Sequence, residues 1–308
     1  VRYGALSRPH LETVSRDTHV CRVPFRGFIL HDFHMLKCAG SIQARPSVTT
    51  TFRRSLRLHK TSSHSRVVMG ASSSSSSDHP GESLELVYFD IAGVAEKVRL
   101  AFSLGHVPFT NTKVAFDEWA SIKPTTPFGQ LPILKIGSDT TIAQSDAMLR
   151  YAGTLAQNKG IDLYPQDNLL QIEEALGMTN DIGRDLRPCI YLAMNPTKAG
   201  GYPESFKGTP EQAELVKNVR TAFMTDDFVK YMSKIEAKLE SNGNKFIAGT
   251  DTPTIADCAL VPQLKHFTKG VLDHVPTTCL DEYKNIKAYI DKFMNLPEVA
   301  AWYANNKK

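Results

Sequence analysis

The chain has no cysteine between Cys38 and Cys189, and its five cysteines, at 21, 38, 189, 258 and 279, form no C-x-x-C pair. Thiol–disulfide exchange needs an accessible reactive thiol, and the long cysteine-free stretch supplies none to the residues it spans. An odd, scattered set argues instead for buried structural thiols in a reducing compartment. No apolar run approaches the ~18 residues of a membrane-spanning helix. A Gly-rich phosphate loop is missing, which removes nucleotide binding. Metal-ligand spacing is also absent; His31 and His34 are its nearest approach.

Acidic residues are missing from Met35 to Ser77, where seven Lys/Arg stand among many Ser and Thr. Residues 1–80 hold 12 Lys/Arg against 4 Asp/Glu, whereas the remainder holds 24 against 28. The basic balance therefore belongs to the N-terminal segment and carries no implication of nucleic-acid binding by the rest. Residues 1–83 read as a disordered tail, with Ser72–Ser77 a low-complexity linker. The Arg/Ser-rich composition suits an organelle transit peptide, which would place the protein in a plastid or mitochondrion. The alternatives are non-coding sequence read in frame and a start at Met69, where Met69-Gly70-Ala71-Ser72-Ser73-Ser74 also fits a myristoylation pattern.

What remains is patterned throughout. A length of 308 residues with 42% apolar content suits two domains with real cores. Leu84 to Phe89 reads as a strand, and Gly93 precedes a helix on Val94, Val98, Leu100, Ala101 and Leu104, closed by Gly105. Phe109 to Val114 suits a second strand, and Asp117 to Ile122 a short helix. The organising stretch is Pro127–Tyr151. There Ile133–Ile136 and Thr140–Ala143 form a hairpin about Gly137-Ser138-Asp139, and Gln144-Ser145-Asp146 occupies a helix N-cap. Pro132, at the mouth of an inner strand, marks a turn that suits a cis peptide. Leu131 then offers a free backbone amide and carbonyl to an extended peptide, and the following helix start is a seat for a carboxylate. Together they suit a small acidic peptide.

Asn158 to Gln166 reads as a linker, and beyond it the pattern is helical. Leu169 to Leu192 is expected to be broken by Pro188. A helix opening at Thr209-Pro210-Glu211 is expected to run to Glu240 and stop at Asn242-Gly243. Thr254 to Asp257 has the spacing of a capping box, ahead of Ala259, Leu260, Leu264 and Phe267 on a buried face. Met148, Met178, Met194, Met224 and Met232 read as core or pocket lining, and Arg99 and Arg150 as structural.

"PFGQLPIL" followed by "QSDAMLRY", with "LELVYFDIAGVAEKVRLAF" upstream and "TDTPTIADCAL" downstream, resembles the soluble glutathione transferases, most closely their sigma-like class with a catalytic tyrosine. The resemblance spans roughly residues 84–305. It implies an α/β plus all-α fold: a thioredoxin-like glutathione-binding domain over 84–158 and an all-helical domain with a hydrophobic acceptor site over 168–305. It also implies a homodimer in the cytoplasm, with glutathione as co-substrate and no further cofactor.

Residue by residue, the resemblance makes Tyr88 the catalytic donor to the glutathione thiolate, at a strand end where its side chain can point out of the sheet edge. Bonding to the charged form would lower the thiol pKa. Gln144 and Ser145 match the γ-glutamyl carboxylate contact; Asp146 either caps the helix or reaches the ligand amine. Leu131 matches the main-chain clamp on the cysteinyl unit, with Pro132 setting the bend. Trp119 and Lys123, four apart, match the glycyl carboxylate contact, and Gln130 adds a hydrogen bond. Asp181 matches the acid that reaches the γ-glutamyl amine of the neighbouring subunit. One departure stands out: the class usually has Arg-Gly-Arg where this chain has Ala92-Gly93-Val94, so an arginine that often supports the tyrosine–thiolate pair is missing. The activity implied is conjugation of glutathione to hydrophobic electrophiles. The alternatives are a non-catalytic member of the fold and a prostaglandin-type isomerase.

Overall fold

The computed structural model describes residues 82–306. The basic tail, the serine linker, Met69, Cys21, Cys38, His31 and His34 lie outside the described residues.

Strand β1, Leu84–Phe89, shows why the fold begins here. Successive side chains of a strand alternate between faces. Leu84, Leu86 and Tyr88 enter the main core on one side, and Val87 joins Val114 and Ile133 in a smaller core on the other. A 3-10 turn, Gly93–Ala95, leads into helix α1, Glu96–Leu104, which Gly105 ends. Strand β2, Thr110–Val114, returns parallel to β1. Helix α2, Trp119–Ile122, precedes strand β3, Ile133–Ile136, and strand β4, Thr140–Ala143. Helix α3 follows at Ser145–Gln157. The strand order is β2-β1-β3-β4, a mixed sheet with β3 antiparallel to both its neighbours. Helices α1 and α3 bury their apolar faces in the main core, whereas Ile122 of α2 packs against the smaller one. This is the thioredoxin-like arrangement expected from the sequence.

The rest is helical, as expected. Helix α4 spans Leu169–Met194, α5 Pro196–Gly200, α6 Pro210–Thr225 and α7 Asp227–Ser241. Helix α8 spans Ile255–Phe267, α9 Lys284–Met294 and α10 Pro297–Asn305. Two expectations are corrected. Pro188 does not break α4, although it withholds one amide from the helix; Leu186, Cys189 and Leu192 are buried around it and hold the backbone on course. The segment expected to be one helix from Thr209 to Glu240 is two, parted at Asp226 (φ −108°, ψ −77°). There the Thr225 hydroxyl donates back to the Thr221 and Ala222 carbonyls, a local bond of the kind that bends helices, while the Asp226 amide still reaches the Ala222 carbonyl. Met148 and Met232 are fully buried, but Met194 is 60% exposed and is not core. Among the described residues no helix is long and apolar enough to cross a membrane.

Helix α8 is the centre of the helical part, with Ile255, Ala256, Cys258, Leu260, Val261 and Leu264 wholly buried. Its N-terminus carries the expected capping box: the Ala256 amide donates to Thr254 Oγ1, and Asp257 accepts from the Thr254 amide at 2.7 Å. Asp257 also accepts from the Ile247 amide at 3.0 Å and the Tyr289 hydroxyl at 2.7 Å, tying the preceding loop and α9 to the helix start. Burial pushes its carboxyl pKa up, against these bonds, which hold it down. Asp257→Ala leaves several buried donors unpaired and is expected to cost about 3 kcal/mol. Tyr289→Phe, which removes one bond, is expected to cost about 1 kcal/mol. Urea unfolding of the two variants checks both values.

Candidate functional site

Strand register explains how distant residues meet. Val87 lies opposite Ile133, and Ile133 opposite Ala143. The exit of β1 at Tyr88, the entry to β3 at Leu131 and Pro132, and the exit of β4 into Gln144 and Ser145 therefore share one end of the sheet. The antiparallel pairing of β3 with both neighbours produces this convergence.

Tyr88 does not project from the sheet edge. Its ring turns inward with Leu84 and Leu86 and is 7% exposed. The phenol oxygen lies against the turn that follows: a Cβ on Gly93 would stand 2.5 Å from it. Burial raises the Tyr88 pKa; the nearby Val94 amide and the Arg99 charge pull it down, while Tyr191 adds to the rise. At neutral pH the hydroxyl therefore keeps its proton and is a donor. Arg99, which sequence alone marks as structural, sits with its guanidinium 5.6 Å from the Tyr88 ring centroid.

The Leu131–Pro132 peptide is cis, as its position at the strand mouth suggested. Pro132 is buried, Leu131 half-buried against the smaller core, and Gln130 exposed. Helix α2 ends at Ile122, so Lys123 begins a separate 3-10 turn and does not share a helix with Trp119. Both still reach this end of the sheet. The Trp119 ring meets Phe89 edge-on at 5.6 Å, and the Lys123 chain runs beside Gly129, its Cε 3.4 Å from where a Cβ would be.

Gln144 takes φ 74°, ψ 105°, a conformation that a non-glycine residue adopts only at a cost of about 1–3 kcal/mol. Its side chain makes no capping bond. Ser145 is the first helical residue, not the cap, and its hydroxyl is engaged by no other group among the described residues. Free amides and dipole at the start of α3 make this end electropositive. Asp146 does not cap either. Its carboxylate pairs with Lys97 of α1 and accepts from Asn180 Nδ2 of α4 at 2.8 Å. Asp181, the next residue along α4, is half-exposed and paired with Arg184 at 2.5 Å. A cavity of about 570 Å³ at the opposite end of β1, lined by Leu84, Val107, Phe109, Tyr151 and Lys159 among others, holds none of these residues.

Residues 204–306 match the family model "Glutathione S-transferase, C-terminal domain". Glutathione S-transferase 4 of Caenorhabditis elegans is 30% identical over 227 residues, covering 72% of this chain and 96% of that protein. The chain belongs to the glutathione S-transferase family. Glutathione S-transferase 1 of Ascaris suum is 28% identical over 224 residues, covering 73% of this chain and 97% of that protein. Among solved structures, prostaglandin synthase D of Nilaparvata lugens superposes with a TM-score of 0.58 at 25% identity, covering 72% of this chain and 97% of that one. As a member of this transferase family, the protein is an enzyme.

Two features of this glutathione S-transferase carry no signal in its sequence: the approach of Tyr191 to Tyr88 and the partners of Asp146. Tyr191, on α4, is half-exposed and within electrostatic reach of the Tyr88 hydroxyl. The Asp146 link joins α1, α3 and α4 behind the helix start. Burial opposes ionisation of Asp146, but the Lys97 charge and the bonds from Lys97 and Asn180 win, so its pKa is lowered. A depressed carboxylate pKa contributes stability that is full above the unfolded value and lost as pH falls through the folded one. Asp146→Asn is therefore expected to flatten the fall in urea midpoint below about pH 4. Parallel unfolding of both proteins from pH 6 to pH 2.5 checks this.

Proposed function

We propose that this protein, as a sigma-like glutathione S-transferase, binds glutathione at the Tyr88 end of the sheet and transfers its thiolate to hydrophobic electrophiles. The observation that carries the reading is the buried Tyr88 side chain at the same sheet end as the Leu131 backbone and the Ser145 helix start. Ser145, Gln144 and the first amides of α3 take the γ-glutamyl carboxylate. The Leu131 main chain, set by Pro132, clamps the cysteinyl unit, and Trp119, Lys123 and Gln130 hold the glycyl end. Tyr88 donates its hydroxyl proton in a hydrogen bond to the sulfur, which favours the thiolate over the thiol. The thiol proton leaves to solvent, and the sulfur forms a bond to the electrophilic carbon: with an aryl halide the carbon–halogen bond breaks and halide leaves with its electron pair, and with an activated alkene the π bond breaks and the adjacent carbon takes a proton from solvent. The proximity of the two reactants supplies much of the rate. Glutathione is the co-substrate, and no other cofactor is invoked.

Residues 84–158 are the glutathione half in this proposal and 168–305 the acceptor half, with Tyr191 and Met194 exposed on α4 where a hydrophobic substrate would lie. Tyr88→Phe is expected to raise the pKa of the bound thiol by about one unit or more and to lower kcat/KM near pH 6.5 about tenfold. Thiolate absorbance titrated against pH, beside the rate profile, checks this. Binding with an unshifted thiol in the parent protein would leave a non-catalytic glutathione holder. Isomerisation is the second reading, favoured by the likeness to a prostaglandin synthase, and an endoperoxide substrate assayed beside an aryl halide separates the two.

A homodimer belongs to the same proposal. Phe128, in the loop ahead of Gln130, is 67% exposed, and Phe116 is 64% exposed; Asp181 would reach the partner's glutathione amine. Phe128→Glu is expected to shift the protein to monomer in sedimentation velocity and to weaken glutathione binding. The free state of Cys189, Cys258 and Cys279 supports a reducing location such as the cytoplasm.

A further inference from the structure

Glu96 and Arg99 are an ion pair at 3.1 Å, each only 4% exposed. Burying two charges is costly unless the remaining hydrogen-bond positions are filled, and here they are filled from opposite directions. Arg99 donates to the carbonyls of Ile91 at 2.8 Å and Ala92 at 3.2 Å, and to Asn111 Oδ1 at 3.0 Å. It thereby holds the turn that lies over the Tyr88 hydroxyl. Glu96 accepts from Trp302 Nε1 at 3.1 Å, and its charge raises the pKa of the neighbouring Tyr303 hydroxyl, which burial raises first. Lys265 of α8 faces this cluster with its Nζ 5.2 Å from the Tyr303 ring centroid. The other end of α10 is tied to α1 as well, by the Ser103 hydroxyl donating to the Glu298 carbonyl at 3.1 Å.

We infer that Glu96 and Arg99 are positioning residues through which the C-terminal helix α10 sets the turn and the charge around Tyr88. The chain of contacts runs from Trp302 to Glu96, to Arg99, and on to the Ile91–Ala92 carbonyls and the Tyr88 ring. Arg99 supplies a guanidinium to the tyrosine in a chain that has Ala92 and Val94 beside Gly93. It approaches from α1, on the core side of the ring, and its position depends on a donor from the last residues of the fold. This inference rests on the thiolate role proposed for Tyr88.

Two substitutions that conserve charge test it. Arg99→Lys keeps the cation but loses the fork that spans two carbonyls, an asparagine and a carboxylate. Trp302→Phe keeps the packing but removes one donor from Glu96, and it remains informative if Arg99→Lys fails to fold. Each is expected to raise the bound thiol pKa by about half a unit. Each should also lower kcat/KM at pH 6.5 about threefold with little change in KM for glutathione. In a Tyr88→Phe background both shifts should vanish, because they act through the tyrosine. A Trp302→Phe protein that melts earlier with an unmoved thiol pKa would overturn the coupling while leaving Tyr88 in place. So would a shift of the same size with and without Tyr88. If Tyr88→Phe alone leaves the thiol pKa unmoved, the thiolate role itself falls and the coupling with it.

Discussion

Tyr88 and the turn after it occupy space that only glycine at position 93 leaves open. Gly93 has φ +46°, and a Cβ there would lie 2.5 Å from the phenol oxygen. An L side chain is disfavoured at this position twice, by backbone conformation and by collision. The close approach presses the turn onto the hydroxyl, brings the Val94 amide near it, and exposes the Ile91 and Ala92 carbonyls to Arg99. The environment of the candidate donor is thus set by backbone approach.

The fold supports this contact with buried carboxylates near the starts of two packed helices. Glu96 begins α1 and Asp257 sits in the first turn of α8, and both are almost wholly buried. Each position gains from the helix dipole, and each carboxylate gathers donors from distant segments: Trp302 and Arg99 for one, Ile247, Thr254 and Tyr289 for the other. Satisfying one buried anion thereby fixes the relative placement of several elements. Asp146, at the start of α3, does the same on a smaller scale for α1 and α4.

Much of this was readable one segment at a time. Alternation in Leu84–Phe89 marked β1, Gly137 marked the hairpin, and the Thr254 to Asp257 spacing announced the capping box, because each signal is contained within a few residues. The misreadings share a cause. Pro188 was expected to end a helix that its buried neighbours sustain, and Asp226 parts a helix whose periodicity runs through it. The N-cap was expected within Gln144-Ser145-Asp146, and it falls on Gln144, in a backbone state that residue type does not advertise. Tyr191 and Arg99 carried no signal toward Tyr88, since the separations that matter to them are spatial.

By itself the sequence determined the order and type of the elements, the two-part architecture and the likeness to one enzyme family. Hydrophobic period, turn residues and caps are local properties, and they survive without knowledge of the partners. Only the tertiary structure decided that the Tyr88 ring lies inward, that Asp146 is spent on Lys97 and Asn180, and that α10 reaches the tyrosine turn through Glu96 and Arg99. Those outcomes depend on which distant donor meets which buried charge, and that is settled when the sheet register and the helix packing bring them within about 3 Å.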